Sequence, residues 1–508
     1  MASDRGHTRL ICSLTSPDAV SMRADMVAAA AAGADTVECR LDLLQPAPNE
    51  RTLRSLLADP PLEVIATCRP VRQGGHFAGE ESWRLEILRL AVQAGATFVD
   101  VEDDVDPAAW PAGRVICSFH EMDGCPPDLE KIVRRLDDSP AEVSKVAFTA
   151  SSSQDALRAL DVLHNARKPT LALAMGEAGA VSRILARKFS AFGTFASLRR
   201  GAESAAGQLT IQEMRQLYRW DGHSHTTSIY GVVGYPLAHT MSPAIHNAAF
   251  AAEDLDAVYV PLLVQPGEDN FRRFMDALAD RPWLHWRGLS ITIPHKANAL
   301  AYVGPKSCAK LARQIGAVNT ILFGSRKRLR GENTDCVAAL DALCEAMGIR
   351  RAELAGKTVA VLGAGGAARA VVAGLREYRS EVTVYNRTLD RAEELAKTFS
   401  CRAAGLDEVA GMSAEILINC TSVGMHPHVD SCPLAAIPPS VKVVFDTIYN
   451  PVRTRLLQRA GEKNCLTVSG VEMFINQAMV QFKLWTGREA PADVMRRVVL
   501  EKLDAGGA

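Results

Sequence analysis

Lys145 stands inside an apolar run, SKVAFT. An ammonium is disfavoured in apolar surroundings, which makes the free amine available as a nucleophile. Such an amine condenses with a ketone to an iminium. The iminium drains electrons from the neighbouring carbon, so a proton there becomes removable. His120 ends another apolar run, RVICSFH, and imidazole titrates in the range needed to take that proton. Glu102 ends ATFVDVE and predicts an orienting hydrogen bond to the imidazole. Arg40, Arg69 and Arg183 offer guanidinium forks to an anionic substrate. A ring of salt bridges around a barrel mouth is the competing account of the same residues.

A different chemistry is written later in the chain. Gly363, Gly365 and Gly366 in GAGGAA follow the strand-like TVAVL and open a helix pattern. Glycines there allow a tight turn and close approach of backbone N–H groups to a pyrophosphate. The next strand ends at Asn386-Arg387-Thr388, with Arg391 just beyond. An acid at that point would bind the ribose hydroxyls of NAD, whereas arginine suits the additional phosphate of NADP. Lys296 follows the apolar run in ITIPHK, and Asp335 lies in the polar turn GENTDC. Together they form a pair able to pass a proton to an alkoxide as hydride arrives.

These residues need elements to carry them. Residues 8–198 hold eight short apolar runs separated by amphipathic, Ala-rich stretches. Strand alternating with helix argues for a parallel sheet. Eight units in about 200 residues predict a closed (β/α)8 barrel, whose strand ends converge on one mouth. An open doubly wound sheet has the same periodicity. Lys145 comes early in its strand and must therefore point inward below the mouth. From residue 228 a second alternating region begins, which leads into the strand–glycine turn–helix unit of a Rossmann-type domain. YRWDGHSHTT lies between the halves and reads as a solvated polar connector. The expected divisions are 1–222, 228–338, 339–475 and a C-terminal helical segment, 476–508.

Composition narrows the classes. Of 508 residues, 48% are hydrophobic and 23% charged, which excludes a disordered chain. Basic and acidic residues nearly cancel, 57 against 58, so no net positive field gathers nucleic acid. No run is long and apolar enough to span a bilayer. The opening shows no leader pattern, and scattered cysteines suit a reducing cytoplasm. HEMDG lacks the second histidine of a zinc helix motif and HPH is isolated, so no metal is expected. Monomer and dimer are both compatible with the sequence.

The first half resembles type I 3-dehydroquinate dehydratases through VECRLDLL, ATCRP, FVDVEDD, ICSFHEMDG, SKVAFTA, LALAMGEAGAVSRILA and GQLTI, over residues 9–211. The resemblance implies that Lys145 is the Schiff-base lysine, His120 the general acid/base and Glu102 its orienting partner. Glu38, Arg40, Arg69, Arg183, Ser204 and Gln208 fall on substrate-binding positions. The family often has Pro-Gly-Gln where this chain has Ala206-Gly207-Gln208, which predicts a looser closing loop with activity retained.

Residues 230–487 resemble shikimate dehydrogenases through YPLAHTMSPAIHN, ITIPHK, IGAVNT, ENTD, GAGGAARA, NRT, NCTSVGM, FDTIYNP and GVEMFINQA. By that likeness Lys296 and Asp335 are the catalytic pair. Thr240, Ser242, Asn319, Tyr449 and Gln477 line the substrate site, and Thr292 is a further candidate. The glycine turn with Ala367, the strand end at Asn386, Arg387, Thr388 and Arg391, and also Thr421 and Gly470 fall on the NADP side. Thr240 replaces a usual serine, and Cys336 replaces the glycine that often follows the aspartate. If Cys336 enters a helix, the change is tolerated. The joined reading is a two-step enzyme that dehydrates 3-dehydroquinate to 3-dehydroshikimate and reduces it to shikimate. A quinate/shikimate dehydrogenase of broader range, or one half kept as a non-catalytic module, are the alternatives.

Overall fold

The computed structural model describes residues 7–238, 240–324 and 328–506. The first six residues of the expected first domain, where the leader expectation falls, and the last two residues of the C-terminal segment lie outside that description. Eight parallel strands come first: β1 (Arg9–Leu14), β2 (Thr36–Arg40), β3 (Glu63–Thr67), β4 (Phe98–Glu102), β5 (Arg114–Glu121), β6 (Val143–Thr149), β7 (Thr170–Met175) and β8 (Gly193–Ala196). Their order is β7-β6-β5-β4-β3-β2-β1-β8, which never reverses as a doubly wound sheet would. β8 returns beside β7, where Phe192 N donates to Thr170 O at 2.9 Å, and the ring is a barrel.

Period-2 alternation sorts its interior into layers. Ile65, Phe98, Ile116, Val143 and Leu171 point inward and fill the base. Two and four residues further along β3, β4 and β5, the inward positions are polar. They run Thr67 and Arg69 after Ile65, Asp100 and Glu102 after Phe98, and Ser118 and His120 after Ile116. Val99 and Val101, on the other face of β4, pack into the core beneath the helices. Lys145 pairs with Ser118 and His120 with Ala147, so Lys145 lies one layer below His120, as its early place in the run requires.

The connector differs from expectation. Trp220 is fully buried and His223 is 7% exposed, whereas Asp221, Gly222, Ser224, His225 and Thr226 are exposed, so the segment is solvated only in part. Lys188 Nζ, from the barrel side, donates to His225 O at 2.7 Å and Thr227 O at 2.8 Å. Asp256, from the second half, accepts the hydroxyls of Ser224, Thr226 and Thr227. Polar side chains there satisfy tertiary partners, which local composition does not reveal. Nearby, Arg281 forks onto Asp161 (2.7 and 2.6 Å) and Trp283 stacks on His164, with ring centroids 4.1 Å apart.

Two further sheets follow. β9 (Ser228–Gly234), β10 (Ala257–Leu263), β11 (Trp286–Ile291), β12 (Thr320–Phe323) and β13 (Leu329–Glu332) stand in the order β10-β9-β11-β12-β13, with β12 antiparallel to both its neighbours. β14 (Thr358–Leu362), β15 (Glu381–Asn386), β16 (Arg402–Gly405), β17 (Ile416–Asn419), β18 (Val443–Asp446) and β19 (Leu466–Ser469) form a parallel sheet, β16-β15-β14-β17-β18-β19. The order reverses at β14, which makes this sheet doubly wound and opens a crevice at its strand ends. The C-terminal helices Gly470–Thr486 and Ala492–Gly506 turn back to the earlier sheet. Val471, Ile475, Phe482, Met495 and Val499 share a core with Tyr230, Ile245 and Phe250.

Two candidate active sites

A cavity of about 180 Å³ occupies the barrel mouth. Glu38, Arg40, Arg69, His120, Lys145, Arg183, Ser204 and Gln208 all line it, so these sequence-predicted residues are brought together. Lys145 Nζ lies 2.7 Å from Asp100 Oδ2 and 3.3 Å from Glu38 Oε1. Its surroundings are therefore charged, where the sequence suggested an apolar run. Glu38 is fixed in turn by the hydroxyls of Ser13 (3.0 Å) and Thr67 (2.9 Å). Asp100 also receives Arg69 at 2.9 Å and Ser118 Oγ at 2.6 Å. Burial works to raise the Asp100 carboxyl, but Arg69 and Lys145 overcome it and hold the group well below the usual carboxylate range. Sequence reasoning missed Asp100. The D-x-E spacing in FVDVE, which puts Asp100 and Glu102 on one strand face, was the available signal.

Glu102 does not reach His120. Its two oxygens go to Arg69 Nη1 and Arg84 Nη1, both at 2.7 Å. Gln73 faces the imidazole instead. Its Oε1 accepts the backbone N–H of His120 at 3.0 Å and lies 3.2 Å from Nδ1. Because the backbone N–H can only donate, the amide oxygen must be the atom facing it. The same oxygen draws the ring proton to Nδ1 and leaves Nε2 as the basic nitrogen. Burial, then the cations of Arg69 and Lys145, push the imidazole well below its ordinary value, with Asp100 opposing. His120 is thus neutral at neutral pH. Nothing in the short VRQ turn bearing Gln73 marks it as a partner of a strand 47 residues away.

Arg183 is 1% exposed and donates to Ala174 O at 2.6 Å, while its Nε has no partner among the described residues. Burial lowers it to about 10. No carboxylate neutralises it among the described residues, so the cavity carries an unmatched positive charge. Arg40, by contrast, forks onto Asp42 at 2.9 and 2.7 Å. Gln208 Oε1 accepts Ser204 N at 2.8 Å, and its buried Nε2 has no partner among the described residues. The loop with Ala206 is seated without a proline. Gly176 N donates to Ala206 O at 2.8 Å, and a Cβ on Gly207 (φ +70°) would fall 2.1 Å from Gly176 O.

In the second half, Lys296 begins the helix Lys296–Val303 and Asp335 lies in the first turn of Thr334–Met347. Lys296 Nζ meets Asp335 Oδ2 at 2.6 Å. Asn319 Nδ2 donates to Asp335 Oδ1 at 2.8 Å and to Thr334 Oγ1 at 2.9 Å. A longer chain runs away from this pair. Thr320 Oγ1 donates to Asn319 Oδ1 (2.8 Å), Gln481 Nε2 to Thr320 Oγ1 (2.9 Å), Ser290 Oγ to Gln481 Oε1 (2.9 Å), and Tyr259 OH to Ser290 Oγ (2.6 Å). Gln481, Ser290 and Tyr259 were not singled out from the sequence. They are buried polar groups in apolar runs, and that was the available signal. Cys336 sits inside the helix, so it meets no positive-φ strain, and its Sγ lies 2.7 Å from where a Cβ on Gly374 would stand.

Thr240 Oγ1 accepts Ser242 N at 3.3 Å, at the start of the helix Ser242–Ala252. Tyr449 stacks on Phe474 with centroids 4.8 Å apart, and Gln477 Nε2 donates to Phe474 O at 3.0 Å. Thr292 lies just past β11, its methyl against Gly234. The glycine turn leaves β14 at the reversal point of the sheet. Gly363 has φ +101°, and a Cβ there would come within 3.1 Å of Thr421 Cγ2. Gly365 caps the helix Gly366–Glu377, and around both Gly365 and Gly366 the space is open. Ala367 lies in the first turn of that helix. Asn386 Nδ2 donates to Thr388 O at 2.8 Å, and Arg387, Thr388 and Arg391 are exposed beyond β15. Gly470 is a packing glycine, because a Cβ would meet Thr447 O and Ile448 O at 2.4 Å.

Fold and sites together define a two-centre enzyme, with a lysine-bearing barrel lyase joined to an oxidoreductase that has a dinucleotide-type crevice. Comparison with known proteins agrees in both halves. The family model for type I 3-dehydroquinase matches residues 10–225. Models for the shikimate dehydrogenase substrate binding domain, shikimate/quinate 5-dehydrogenase and the shikimate 5'-dehydrogenase C-terminal domain match 232–321, 346–431 and 470–500. A bifunctional 3-dehydroquinate dehydratase/shikimate dehydrogenase of Arabidopsis thaliana, chloroplastic, is 37% identical over 96% of this chain and 84% of its own. A shikimate dehydrogenase (NADP(+)) of Methanosarcina acetivorans is 42% identical over 54% of this chain and 99% of its own. The solved shikimate 5-dehydrogenase of Thermus thermophilus, in complex with NADP(H) and shikimate, is 35% identical over 54% of this chain and 99% of its own, with a TM-score of 0.48. The chain belongs to the bifunctional 3-dehydroquinate dehydratase/shikimate dehydrogenase family.

Proposed function

We propose that the barrel dehydrates 3-dehydroquinate through an iminium on Lys145. The carrying observation is the Lys145 amine at the floor of a cavity whose wall holds a neutral His120 with a fixed tautomer. Arg183, unmatched by any acid, takes the substrate carboxylate. Attack on the ketone requires Nζ to surrender its proton, and Glu38 Oε1 at 3.3 Å is an acceptor in contact with it. The carbonyl oxygen leaves as water. His120 Nε2 then removes a proton from the carbon beside the iminium, and the resulting imidazolium returns it to the departing hydroxyl. Hydrolysis of the iminium frees 3-dehydroshikimate and restores the amine. Borohydride added with 3-dehydroquinate should reduce the iminium to a stable amine on the peptide containing Lys145. An active enzyme that yields no such adduct would overturn this reading.

The second half reduces 3-dehydroshikimate. NADPH supplies the hydride when bound, and the residues present fit it. The open glycine turn accommodates a pyrophosphate, and Arg387 and Arg391 are exposed just beyond β15, which suits a further phosphate. Lys296 and Asp335 hold the proton that the new alkoxide needs, and Asn319 keeps Asp335 turned toward Lys296. Tyr449 and Gln477 complete the substrate wall. Twelve free cysteines suit a reducing compartment such as the cytoplasm.

A further inference from the structure

The dehydrogenase half contains a buried carboxylate that these roles leave unused. Asp446 ends β18 and is inaccessible to solvent. Burial pushes its carboxyl above the usual range, against hydrogen bonds from Thr454, Ile448 and Asn419. A carboxylate held so deep must have its oxygens met by donors. Three segments supply them. Asn419 Nδ2, at the end of β17, reaches Oδ1 at 3.0 Å, and the backbone N–H of Ile448 reaches the same oxygen at 3.2 Å. Thr454 Oγ1, which caps the helix Arg455–Glu462, donates to Oδ2 at 2.7 Å.

What hangs from these donors matters more than the bonds themselves. Asn419 Oδ1 accepts both the N–H (3.0 Å) and the hydroxyl (2.7 Å) of Thr421, the residue that abuts the glycine turn. Ile448 precedes Tyr449, and Thr447 returns its N–H and hydroxyl to Asn419 O at 3.0 and 2.9 Å. The cofactor-side loop and the substrate-side loop are thus tied to one adjacent pair, Asn419 and Asp446, which face each other across β17 and β18. We propose that Asp446 is a positioning residue for the reduction, holding the loops of Thr421 and Tyr449 in a fixed relation so that hydride donor and carbonyl meet. The proposal rests on the assignment of Thr421 to the cofactor side and Tyr449 to the substrate side. A group that only accepts suits all three donors at once. An amide at position 446 would turn an N–H either toward the Asn419 amide and the Ile448 N–H, which are both donors, or toward Thr454 Oγ1, whose hydroxyl would then lose the oxygen it donates to.

The test is Asp446→Asn in the full chain, with dehydratase turnover as the internal measure of folded enzyme. The expected result is a fall of roughly tenfold in kcat for the reduction, the scale of a misdirected buried hydrogen bond, with KM for NADPH and 3-dehydroshikimate raised and dehydratase turnover unchanged. Asn419→Leu releases Thr421 but leaves Ile448 and Thr454 on Asp446, so it should raise KM for NADPH far more than for the carbonyl substrate. Unchanged kcat and KM values for the reduction in Asp446→Asn overturn the proposal. If Asp446→Asn does not fold, Thr454→Val removes a single donor and faces the same criterion. Thr421→Val and Tyr449→Phe test the assignment separately. Unchanged KM values in both retire the assignment and the proposal with it. Changed values there, with none in Asp446→Asn, retire the proposal alone.

Discussion

The partner of His120 is an amide, and that choice has measurable consequences. A carboxylate at the same place would stabilise the imidazolium, whereas Gln73 fixes the ring without adding charge. The charged groups around His120 are Arg69 from the end of β3, Lys145 from β6, Asp100 from β4 and Arg40 from β2. With burial they keep the ring below its ordinary value, so the proposed base is neutral at neutral pH. Gln73→Glu adds a negative charge beside Nδ1 and raises the imidazole pKa. The acid limb of dehydratase kcat/KM reports the free base and should therefore move to higher pH. Gln73→Leu removes the orienting oxygen and should lower kcat by roughly 10- to 100-fold, while borohydride trapping on Lys145 persists. An acid limb unmoved in the glutamate variant, with near-normal turnover in the leucine variant, would return the orienting role to another residue.

At the scale of elements, both sites lie where strands end. In the barrel, consecutive parallel neighbours bring every strand end to one mouth, so five different strands can furnish one cavity. In the doubly wound sheet the order reverses at β14, and the glycine turn falls at that reversal. Gly363→Ala must hold a side chain at φ +101° and press on Thr421 and Cys420. We expect KM for NADPH to rise at least tenfold with dehydratase turnover intact, read by steady-state assays of both activities on one preparation. Arg387 lies on the exposed turn after β15. Arg387→Ala should raise KM for NADPH much more than for NADH, and equal effects on the two would remove it from the phosphate site.

At the scale of the molecule, the halves are clasped together rather than loosely strung. Lys188, Arg281 and Trp283 cross between them, and Trp220 is buried in the connector. Cutting the chain near Thr226 should therefore lower the melting temperature of each half below that of the intact protein. Melting points unchanged by the cut would show that the clasp contributes nothing. Acid sensitivity follows from two other groups. Burial lowers His223 to about 4 and His246 to about 3. The unfolded chain takes these protons near pH 6.5, so it binds more protons than the folded chain below that value. Stability should fall as pH drops from about 6.5 toward 4, by up to about 1.4 kcal/mol per pH unit for each histidine. Denaturant midpoints measured across that range check the sign.

Much of this was legible in the residue order. The eight strands, the alternation that makes a parallel barrel, the glycine turn and the Lys296–Asp335 pair are all carried by local periodicity and short motifs, because backbone sterics and burial act on near neighbours in the chain. What the sequence did not contain was the pairing of side chains across distant segments. Glu102 and His120 both pointed inward on adjacent strands, yet Arg69 and Arg84 took the carboxylate and Gln73, from a short turn, took the imidazole. The connector looked solvated, yet its carbonyls are held by a lysine from the barrel. Asp446 looked like any strand end until three segments converged on it. Such choices depend on which charges and donors arrive within about 3 Å, and only the folded chain sets those distances.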